Sequence, residues 1–265
     1  MTLRAGVAGQ PIAHSLSPLI HGLWIEAAGL DASYQPFAPA DQAGFDALIA
    51  EGRAGALRGL NVTAPFKERA LSLADTVSPV ARACGSANLL MFNEGRLSAD
   101  STDGLGLMAA LSEQAPALIL ADAPVVVLGA GGAARAAVAA LKAAGAVVSV
   151  LNRTRARAEA LAADLGSAVA DPDDVHSAAL VVNALSVPPD IDVAALRTDA
   201  VLMDMTYKPL ITPFLAAGQA RGLTAVDGLA MLIGQARPSF EALFGLPVPQ
   251  VEVRAAVLRR LGEVA

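Results

Sequence analysis

The sequence has a single cysteine and lacks long apolar runs. Its 265 residues contain one cysteine, Cys84, so no disulfide can form within the chain, as is typical of proteins of the reducing cytoplasm. No uninterrupted apolar stretch approaches the ~18 residues that a membrane-spanning helix needs. The stretch before Pro11 has no apolar core of the kind found in secretory signals. We therefore expect a cytoplasmic protein that does not span a membrane.

Charge and metal-ligand chemistry are also sparse. Charged residues make up 17% of the chain and the net charge is −6, so we expect no general attraction to nucleic acid or to anionic membranes. His14, His21, His176 and Cys84 show no recognised ligand spacing, and no metal site is predicted. The hydrophobic fraction of 54% is ample for buried cores. The length favours two domains, and the sequence leaves monomer and homodimer open.

The most informative segment runs from Pro124 to Arg157. An apolar run, 125–128, leads into the glycine-rich turn 129–134, and an alanine-rich helical segment then ends at Gly145 before a second apolar run. This order predicts a strand, a glycine turn, a helix and a strand, which is the dinucleotide-binding unit of Rossmann-like folds. The helix N-terminus would offer N–H donors and a positive dipole end to a pyrophosphate.

The end of the second apolar run bears on the choice of cofactor. An NAD-binding unit usually places an Asp or Glu there, about 20 residues after the glycines, to bind the ribose 2′-hydroxyl. This segment instead carries an amide, a hydroxyl and three guanidiniums, from Asn152, Thr154, Arg153, Arg155 and Arg157. Guanidinium groups suit a phosphate, so NADP is favoured over NAD. The alternative is a solvated helix start whose arginines pair with Glu159 and Asp164.

The rest of the chain alternates short apolar runs with helical segments, which predicts an α/β fold with parallel strands. We predict an N-terminal α/β substrate domain over residues 1–104 and a Rossmann-like dinucleotide-binding domain over residues 105–228. C-terminal helices over residues 229–265 are expected to return to the first domain.

Two polar clusters lie at predicted helix starts in the first domain. Ser17, before Pro18, is predicted to be a helix N-cap, and with Ser15 it offers two hydroxyls to a carboxylate or phosphate. The alternative is a cap alone. Pro65 is predicted to open a further helix that carries Lys67 in its first turn, where an ammonium is a candidate proton donor to a reacting oxygen. The alternative is a surface lysine.

Two further polar residues lie later in the chain. Asp103 is predicted to cap a helix that runs from Gly104 to about Gln114. Gln235 is the only strongly polar side chain on the first part of an apolar helical segment. A buried Gln needs hydrogen-bond partners, which a hydroxylated substrate would supply; the alternative is a position on the solvated edge of the helix.

Together these segments resemble the shikimate dehydrogenases, and the resemblance covers nearly the whole chain in order. The matching segments are Gly9–Pro18, Asn61–Thr63 with Pro65–Lys67, Thr102–Gly104, Gly129–Ala134, Asn152–Thr154, Asp204–Tyr207 with Pro209, and Asp227–Gln235. The resemblance implies reversible hydride transfer between NADPH and 3-dehydroshikimate, giving shikimate, in aromatic amino-acid biosynthesis.

The resemblance also implies roles for individual residues. The implied substrate-binding set is Ser15, Ser17, Thr63, Lys67, Asn88, Asp103, Tyr207 and Gln235. Within it, the carboxylate would be held by Ser15, Ser17 and Tyr207, and Lys67 and Asp103 would form an acid–base pair. The implied cofactor-binding set is Gly129, Ala130, Gly131, Gly132, Ala133, Ala134, Asn152, Arg153, Thr154, Arg157, Met205 and Gly228. The glycine turn 129–134 would bind the pyrophosphate, and Met205 and Gly228 would border the nicotinamide.

The chain departs from the family pattern at three positions. Leu89 and Leu185 stand where the family often has threonine, and Ser101 stands where it usually has asparagine. Leu89 and Leu185 each lack a hydroxyl, and a missing hydrogen bond of this kind costs ~0.5–1.5 kcal/mol, which weakens binding without abolishing catalysis. Two alternatives remain open. One is a quinate/shikimate dehydrogenase-like paralogue that acts on a related hydroxylated ring carboxylate with either NADP or NAD, and the other is a non-catalytic dinucleotide-binding sensor. The retained Lys67 and Asp103 favour an enzyme.

Overall fold

The computed structural model describes residues 2–262 and contains two compact units. The first unit comprises the chain up to Thr102 and the chain from Ala236 onward, and the second unit runs from Asp103 to Gln235. Each unit contains a six-stranded sheet. The predicted α/β fold class, with a Rossmann-like unit following an N-terminal α/β unit, is confirmed.

The sheet of the first unit combines parallel and antiparallel strands. In chain order, the elements up to Thr102 are β1 (Leu3–Ala8), α1 (Ser17–Ala27), β2 (Ala32–Phe37), α2 (Gln42–Arg53), β3 (Gly59–Val62), α3 (Lys67–Leu73), β4 (Thr76–Val77), α4 (Pro79–Cys84), β5 (Leu89–Asn93) and β6 (Arg96–Asp100). The strand order is β2-β1-β3-β5-β6-β4, in which β1 pairs with β2 and β3 in parallel, while β5 is antiparallel to β3 and β6.

The strands β5 and β6 form a hairpin, and the reason is local. Glu94 and Gly95 between the strands have φ of 50° and 78°, the left-handed backbone that a two-residue hairpin turn requires. Asp41 caps α2, since its Oδ1 accepts the backbone N–H of Gly44 at 2.8 Å. The unit is stabilised by a buried cluster in which Phe45 stacks on Phe66, with centroids 4.8 Å apart.

Two predicted helix starts in this unit are wrong by one or two residues. Leu16 is the N-cap of α1, so Ser17 is the first helical residue and Pro18 the second; it is Ser15 Oγ that accepts the backbone N–H of Ser17, at 3.3 Å. Pro65 lies before α3, in a turn closed by the Phe66 N–H, which donates to the Thr63 carbonyl at 3.1 Å. Phe66 is the N-cap of α3, so Lys67 is the first helical residue.

The second unit has a wholly parallel sheet among the strand pairs that the structure describes. Its elements are α5 (Asp103–Gln114), β7 (Pro124–Leu128), α6 (Gly132–Ala143), β8 (Val147–Leu151), α7 (Arg155–Leu165), β9 (Ala168–Val169), β10 (Leu180–Asn183), β11 (Val201–Asp204), α8 (Pro213–Ala220) and β12 (Thr224–Val226). The strand order β12-β11-β10-β7-β8-β9 reverses at β7, so that the switch point between β7 and β10 is the place where doubly wound sheets bind dinucleotides.

Two C-terminal helices follow, α9 (Gly228–Phe244) and α10 (Val253–Leu261). The first part of α9 belongs to the second unit, while α10 belongs to the first and contacts α1. The second unit therefore ends at Gln235 rather than at the predicted residue 228. The reason is close packing of α5 on the start of α9, where a Cβ at Gly106 would lie 2.6 Å from the Met231 carbonyl oxygen. Within residues 2–262, no helix has the length and apolarity to cross a membrane.

Candidate functional site

The dinucleotide turn of the second unit lies at the carboxyl end of β7. Gly129 follows the strand with φ of +117°, a backbone conformation open to glycine, and its N–H donates to the Leu151 carbonyl at 2.8 Å. Gly131 is the N-cap of α6 and no side chain caps the helix there. Because the first N–H groups of a helix have no intrahelical partner, this end of α6 can bind an anion.

The protein's own packing restricts one glycine of the turn and leaves space at another. A Cβ at Gly129 would lie 3.2 Å from Leu185 Cδ2, so this position is restricted by the protein itself. At Gly131 the backbone φ is an ordinary −93° and a Cβ would meet no atom within 4 Å. A glycine that the protein does not need for its own packing fits a position where a ligand approaches the backbone. Ala134, in the place of a third glycine, is fully buried, as helix–strand packing demands.

The carboxyl end of β8 carries the arginine-rich segment. Asn152 Nδ2 donates to the Thr154 carbonyl at 2.9 Å, and Thr154 is the N-cap of α7 without capping it through its side chain. Arg155 is engaged, since its guanidinium lies 3.2 Å from Glu159 and 2.7 Å from Asp171. Within residues 2–262, the exposed Arg153 and Arg157 form no ion pair.

The predicted alternative, in which the arginines pair with Glu159 and Asp164, therefore holds for one arginine only. Asp164 pairs instead with Arg135, at 3.0 Å. Two cations thus remain for a ligand at the end of the strand where a dinucleotide places its adenosine ribose. Without an acidic side chain at Asn152, this end of the unit fits a 2′-phosphate.

The carboxyl ends of β10 and β11 are joined by a buried polar group. Asn183 and Asp204 are paired in the register of the two strands, and Asp204 accepts the Asn183 amide at 3.1 Å and the Thr212 hydroxyl at 2.8 Å. The next residue, Met205, is half-buried, and a Cβ at Gly228 would lie 2.6 Å from its carbonyl oxygen. The sequence-predicted pair Met205 and Gly228 is thus brought together at this edge of the sheet.

Three further predicted substrate residues belong to the second unit. Asp103 is buried and is the first residue of α5 rather than its cap. Gln235 is half-buried on α9, and its Nε2 donates to the Leu232 carbonyl at 2.9 Å. Tyr207 lies in the loop after β11, where burial raises the pKa of its phenol above the usual value.

The remaining predicted substrate residues lie at one edge of the first unit's sheet. The parallel strands β1 and β3 end there, and the antiparallel β5 begins there, so the loops that carry Ser15, Thr63 and Asn88 emerge on the same side. The loops after β1 and β3 are in contact, since the Gln10 N–H donates to the Ala64 carbonyl at 3.1 Å.

Lys67 lies beside this edge as the first residue of α3, as predicted for the first turn. It is half-buried, and its carbonyl accepts the N–H of Ala87 at 3.0 Å. This contact links the start of α3 to the residue before Asn88. The first unit thereby places Lys67, at the start of α3, beside the segment that carries Asn88.

The side chain of Asn88 is held by Thr102. Asn88 Oδ1 accepts the backbone N–H of Thr102 at 2.7 Å, and Asn88 Nδ2 donates to Thr102 Oγ1 at 3.0 Å. Both residues are buried. Thr102 follows β6, whose last residue Asp100 pairs with Leu89, so sheet topology places it next to Asn88.

Sequence reasoning missed three buried polar residues that continue this network. Asn61 Nδ2 donates to the Asn88 carbonyl at 3.1 Å and to Ser239 Oγ at 2.9 Å, while Asn61 Oδ1 accepts the Tyr34 hydroxyl at 2.8 Å. Ser239 Oγ in turn lies 3.2 Å from Thr102 Oγ1. The one signal in the sequence was an asparagine inside the apolar run that forms β3, since a buried amide needs partners.

The three departures from the family pattern differ in their surroundings. Leu89 is buried in β5 and forms part of the sheet core. The backbone N–H of Leu185 donates to Asn183 Oδ1 at 3.2 Å. The hydroxyl of Ser101 is buried and has no hydrogen-bond partner among the described residues.

Both units match family models of known enzymes. Residues 7–90 match the shikimate dehydrogenase substrate binding domain, and residues 111–187 match the shikimate / quinate 5-dehydrogenase family. The two matches fall in the first and the second unit, respectively.

Individual relatives match over nearly their whole length. A shikimate dehydrogenase (NADP(+)) of Caulobacter vibrioides is 53% identical over 98% of this chain and 96% of its own. The crystal structure of shikimate 5-dehydrogenase from Thermus thermophilus, in complex with NADP(H) and shikimate, is 37% identical with a TM-score of 0.90, covering 98% of this chain and 99% of that one. Quinate dehydrogenase from Corynebacterium glutamicum, in complex with NAD, is 28% identical with a TM-score of 0.86 and covers 98% of each chain. With both domains matched in order, this chain belongs to the shikimate dehydrogenase family.

Proposed function

We propose that this protein is an NADP-dependent shikimate dehydrogenase, an oxidoreductase that reversibly reduces 3-dehydroshikimate to shikimate. The observation that carries the proposal is the end of β8, where Asn152 replaces an acidic residue and Arg153 and Arg157 have no ion pair among residues 2–262. This donor set suits NADP, the cofactor named for the full-length relatives. The family match supplies the substrate class.

The cofactor-binding residues fit NADP along the carboxyl edge of the second unit's sheet. Gly129 to Ala134 would receive the pyrophosphate at the N-terminus of α6, and Asn152, Arg153, Thr154 and Arg157 would receive the adenosine end with its 2′-phosphate. Met205 and Gly228 would border the nicotinamide. When bound, NADPH supplies the hydride for ketone reduction and NADP⁺ accepts it in the reverse direction.

Residues of the protein must supply the proton that the same reaction consumes. A hydride that reaches the ketone carbon leaves an alkoxide, and one proton must be delivered to that oxygen to give the alcohol. Lys67 is proposed to donate this proton, because an ammonium both stabilises and neutralises a developing alkoxide. Asp103 is proposed as its partner in an acid–base pair.

The substrate is a cyclohexene carboxylate with hydroxyl groups, and the proposed contacts follow that chemistry. Ser15, Ser17 and Tyr207 would bind the carboxylate. The hydroxyl groups would be bound by Thr63, Asn88, Asp103 and Gln235. The contact between the Gln10 and Ala64 loops supports a shared pocket edge for the first-unit members of this set. The enzyme is proposed to be cytoplasmic, where Cys84 stays reduced, and sedimentation would distinguish a monomer from a homodimer.

Absorbance at the reduced-nicotinamide band tests the function directly. Purified protein is offered shikimate or quinate, each with NADP or NAD. Shikimate-dependent reduction of NADP is the expected result. Activity with quinate alone, or with NAD alone, would instead identify the paralogue. No activity in any of the four mixtures, with NADPH still bound, would identify a sensor.

The Lys67→Ala variant tests the proposed acid. General acid catalysis typically contributes ~10²- to 10⁴-fold to the rate, so kcat should fall within that range while NADPH binding persists. Undiminished kcat in this variant would remove Lys67 from the mechanism.

A further inference from the structure

The polar network behind Asn88 has a defined orientation, because two backbone groups determine it. The Asn88 carbonyl can only accept, so the atom of Asn61 that faces it at 3.1 Å is Nδ2. The Thr102 N–H can only donate, so the atom of Asn88 that faces it at 2.7 Å is Oδ1. Neither amide can therefore be turned over without placing two donors or two acceptors against each other.

The hydroxyl protons follow from these amides. Asn61 Nδ2 donates to Ser239 Oγ at 2.9 Å, and Thr102 Oγ1 lies 3.3 Å from Asn88 Oδ1, an atom that can only accept. These contacts are satisfied when Thr102 donates to Asn88 Oδ1 and Ser239 donates to Thr102 Oγ1. Burial raises the pKa of the Tyr34 phenol well above its usual value, so Tyr34 stays protonated and donates to Asn61. The hydroxyl donors thus lead from Tyr34 towards Asn88, and Asn88 Nδ2 donates back to Thr102 Oγ1 at 3.0 Å.

Ser239 occupies a distinctive place in this network. It contacts Asn61, which holds the main-chain carbonyl of Asn88, and Thr102, which holds the side-chain amide of Asn88. Ser239 lies on α9 and is fully buried. Alanine has the higher intrinsic helix propensity, so helix formation does not account for a serine at this buried position. The hydrogen bonds of its hydroxyl do.

We propose that Ser239 is a positioning residue for the substrate pocket, cross-linking the two side chains that hold Asn88 so that Asn88 keeps the orientation in which its side-chain amide contacts a substrate hydroxyl. The inference rests on the proposed function, in which Asn88 contacts a ring hydroxyl. Loss of the Ser239 hydroxyl removes an acceptor from Asn61 and a donor from Thr102, and both are buried. A buried polar group that loses a partner either rearranges or carries an uncompensated desolvation cost. Because Asn61 and Thr102 hold Asn88, their rearrangement displaces Asn88.

The Ser239→Ala variant tests the proposal, with Ser101→Ala as a matched control. Ser101 is also a buried serine, beside Thr102, but its hydroxyl has no partner among the described residues. Ser239→Ala is expected to raise the KM for shikimate by roughly three- to tenfold, the equivalent of one hydrogen bond, with the KM for NADP unchanged. Ser101→Ala should change neither constant. A wild-type shikimate KM in Ser239→Ala would overturn the inference.

A double-mutant cycle with Asn88→Ala shows whether Ser239 acts through Asn88. If it does, Ser239→Ala should have little further effect on the shikimate KM once Asn88 is alanine. Equal effects in both backgrounds would overturn the inference but leave the proposed function intact. If Asn88→Ala itself leaves the shikimate KM unchanged, the assignment of Asn88 within the proposed function fails instead.

The Ser239→Cys variant keeps the test decisive should the alanine variant not fold. The thiol is similar in shape and is a weaker donor and acceptor than the hydroxyl. An elevated shikimate KM that disappears in the Asn88→Ala background supports the positioning role. A wild-type KM in the cysteine variant contradicts it.

Discussion

The imidazole of His21 stacks on the phenol ring of Tyr34, with ring centroids 4.0 Å apart and planes within 2° of parallel. His21 is fully buried, and neither ring nitrogen has a hydrogen-bond partner among the described residues. Burial lowers the pKa of His21 from 6.5 to about 3. The histidine therefore serves as an aromatic core residue of the first unit, in the neutral form.

We expect His21 to make the protein less stable in acid. Since its folded pKa is lowered, the unfolded chain binds a proton more readily between pH 6.5 and about 3. Its full contribution to stability is present above pH 6.5 and is lost as the pH falls through that window, by up to ~1.4 kcal/mol per pH unit. At pH 5 the loss is about 2 kcal/mol. His21→Phe keeps an aromatic ring at this position but cannot be protonated. Denaturant unfolding at pH 7.5 and 5.0 should therefore show a smaller drop in the free energy of unfolding for this variant than for the wild type, and an equal drop would contradict the assignment.

The arginines after β8 should differ in their effect on cofactor choice. Arg153→Ala and Arg157→Ala are expected to raise the KM for NADP by roughly tenfold, the value of a charge-assisted hydrogen bond at an exposed site, and to leave the KM for NAD nearly unchanged. Arg155→Ala is the matched control, because its guanidinium is already paired with Glu159 and Asp171. Equal changes for both cofactors would remove the 2′-phosphate from this site.

Gly131→Ala should separate ligand binding from folding. The added Cβ meets no protein atom within 4 Å and the backbone conformation is ordinary, so the melting temperature should stay at the wild-type value. The same methyl group faces the position proposed for the pyrophosphate, and NADP binding by titration should weaken by at least about tenfold, or ~1.4 kcal/mol. Unchanged affinity would show that the pyrophosphate does not approach this residue.

Asp227 is expected to stabilise the start of α9. Its Oδ1 accepts the Ala230 N–H at 3.0 Å, and its Oδ2 and backbone N–H each bond to the Gln114 amide at 2.9 Å. Asp227→Ala removes a helix cap and the side-chain bond to Gln114, so the free energy of unfolding should fall by about 2 kcal/mol. In a cycle with Gln114→Ala, the double variant should lose less than the sum of the two single variants; strict additivity would count against the pair.

Local features of the fold and the cofactor site were predictable from the sequence. The apolar run before Gly129, the cap at Asp41 and the hairpin at Glu94 and Gly95 each depend on residues within a few positions of one another. Helix starts were harder to predict. At Ser17 and Pro65 the same residue types suit a cap, a first turn or a turn before the helix, and the surrounding loops decide between them.

The sequence by itself determined the fold class, the dinucleotide turn and the absence of an acidic residue at Asn152, because short-range sterics and apolar periodicity govern them. Only the tertiary structure decided which arginine is paired and which buried groups hold Asn88. Thr102 and Ser239 are 137 positions apart in the chain, and no local pattern specifies their contact. It arises because the second half of α9 belongs to the same unit as the sheet, and a buried hydroxyl is stable only where such packing brings it a partner.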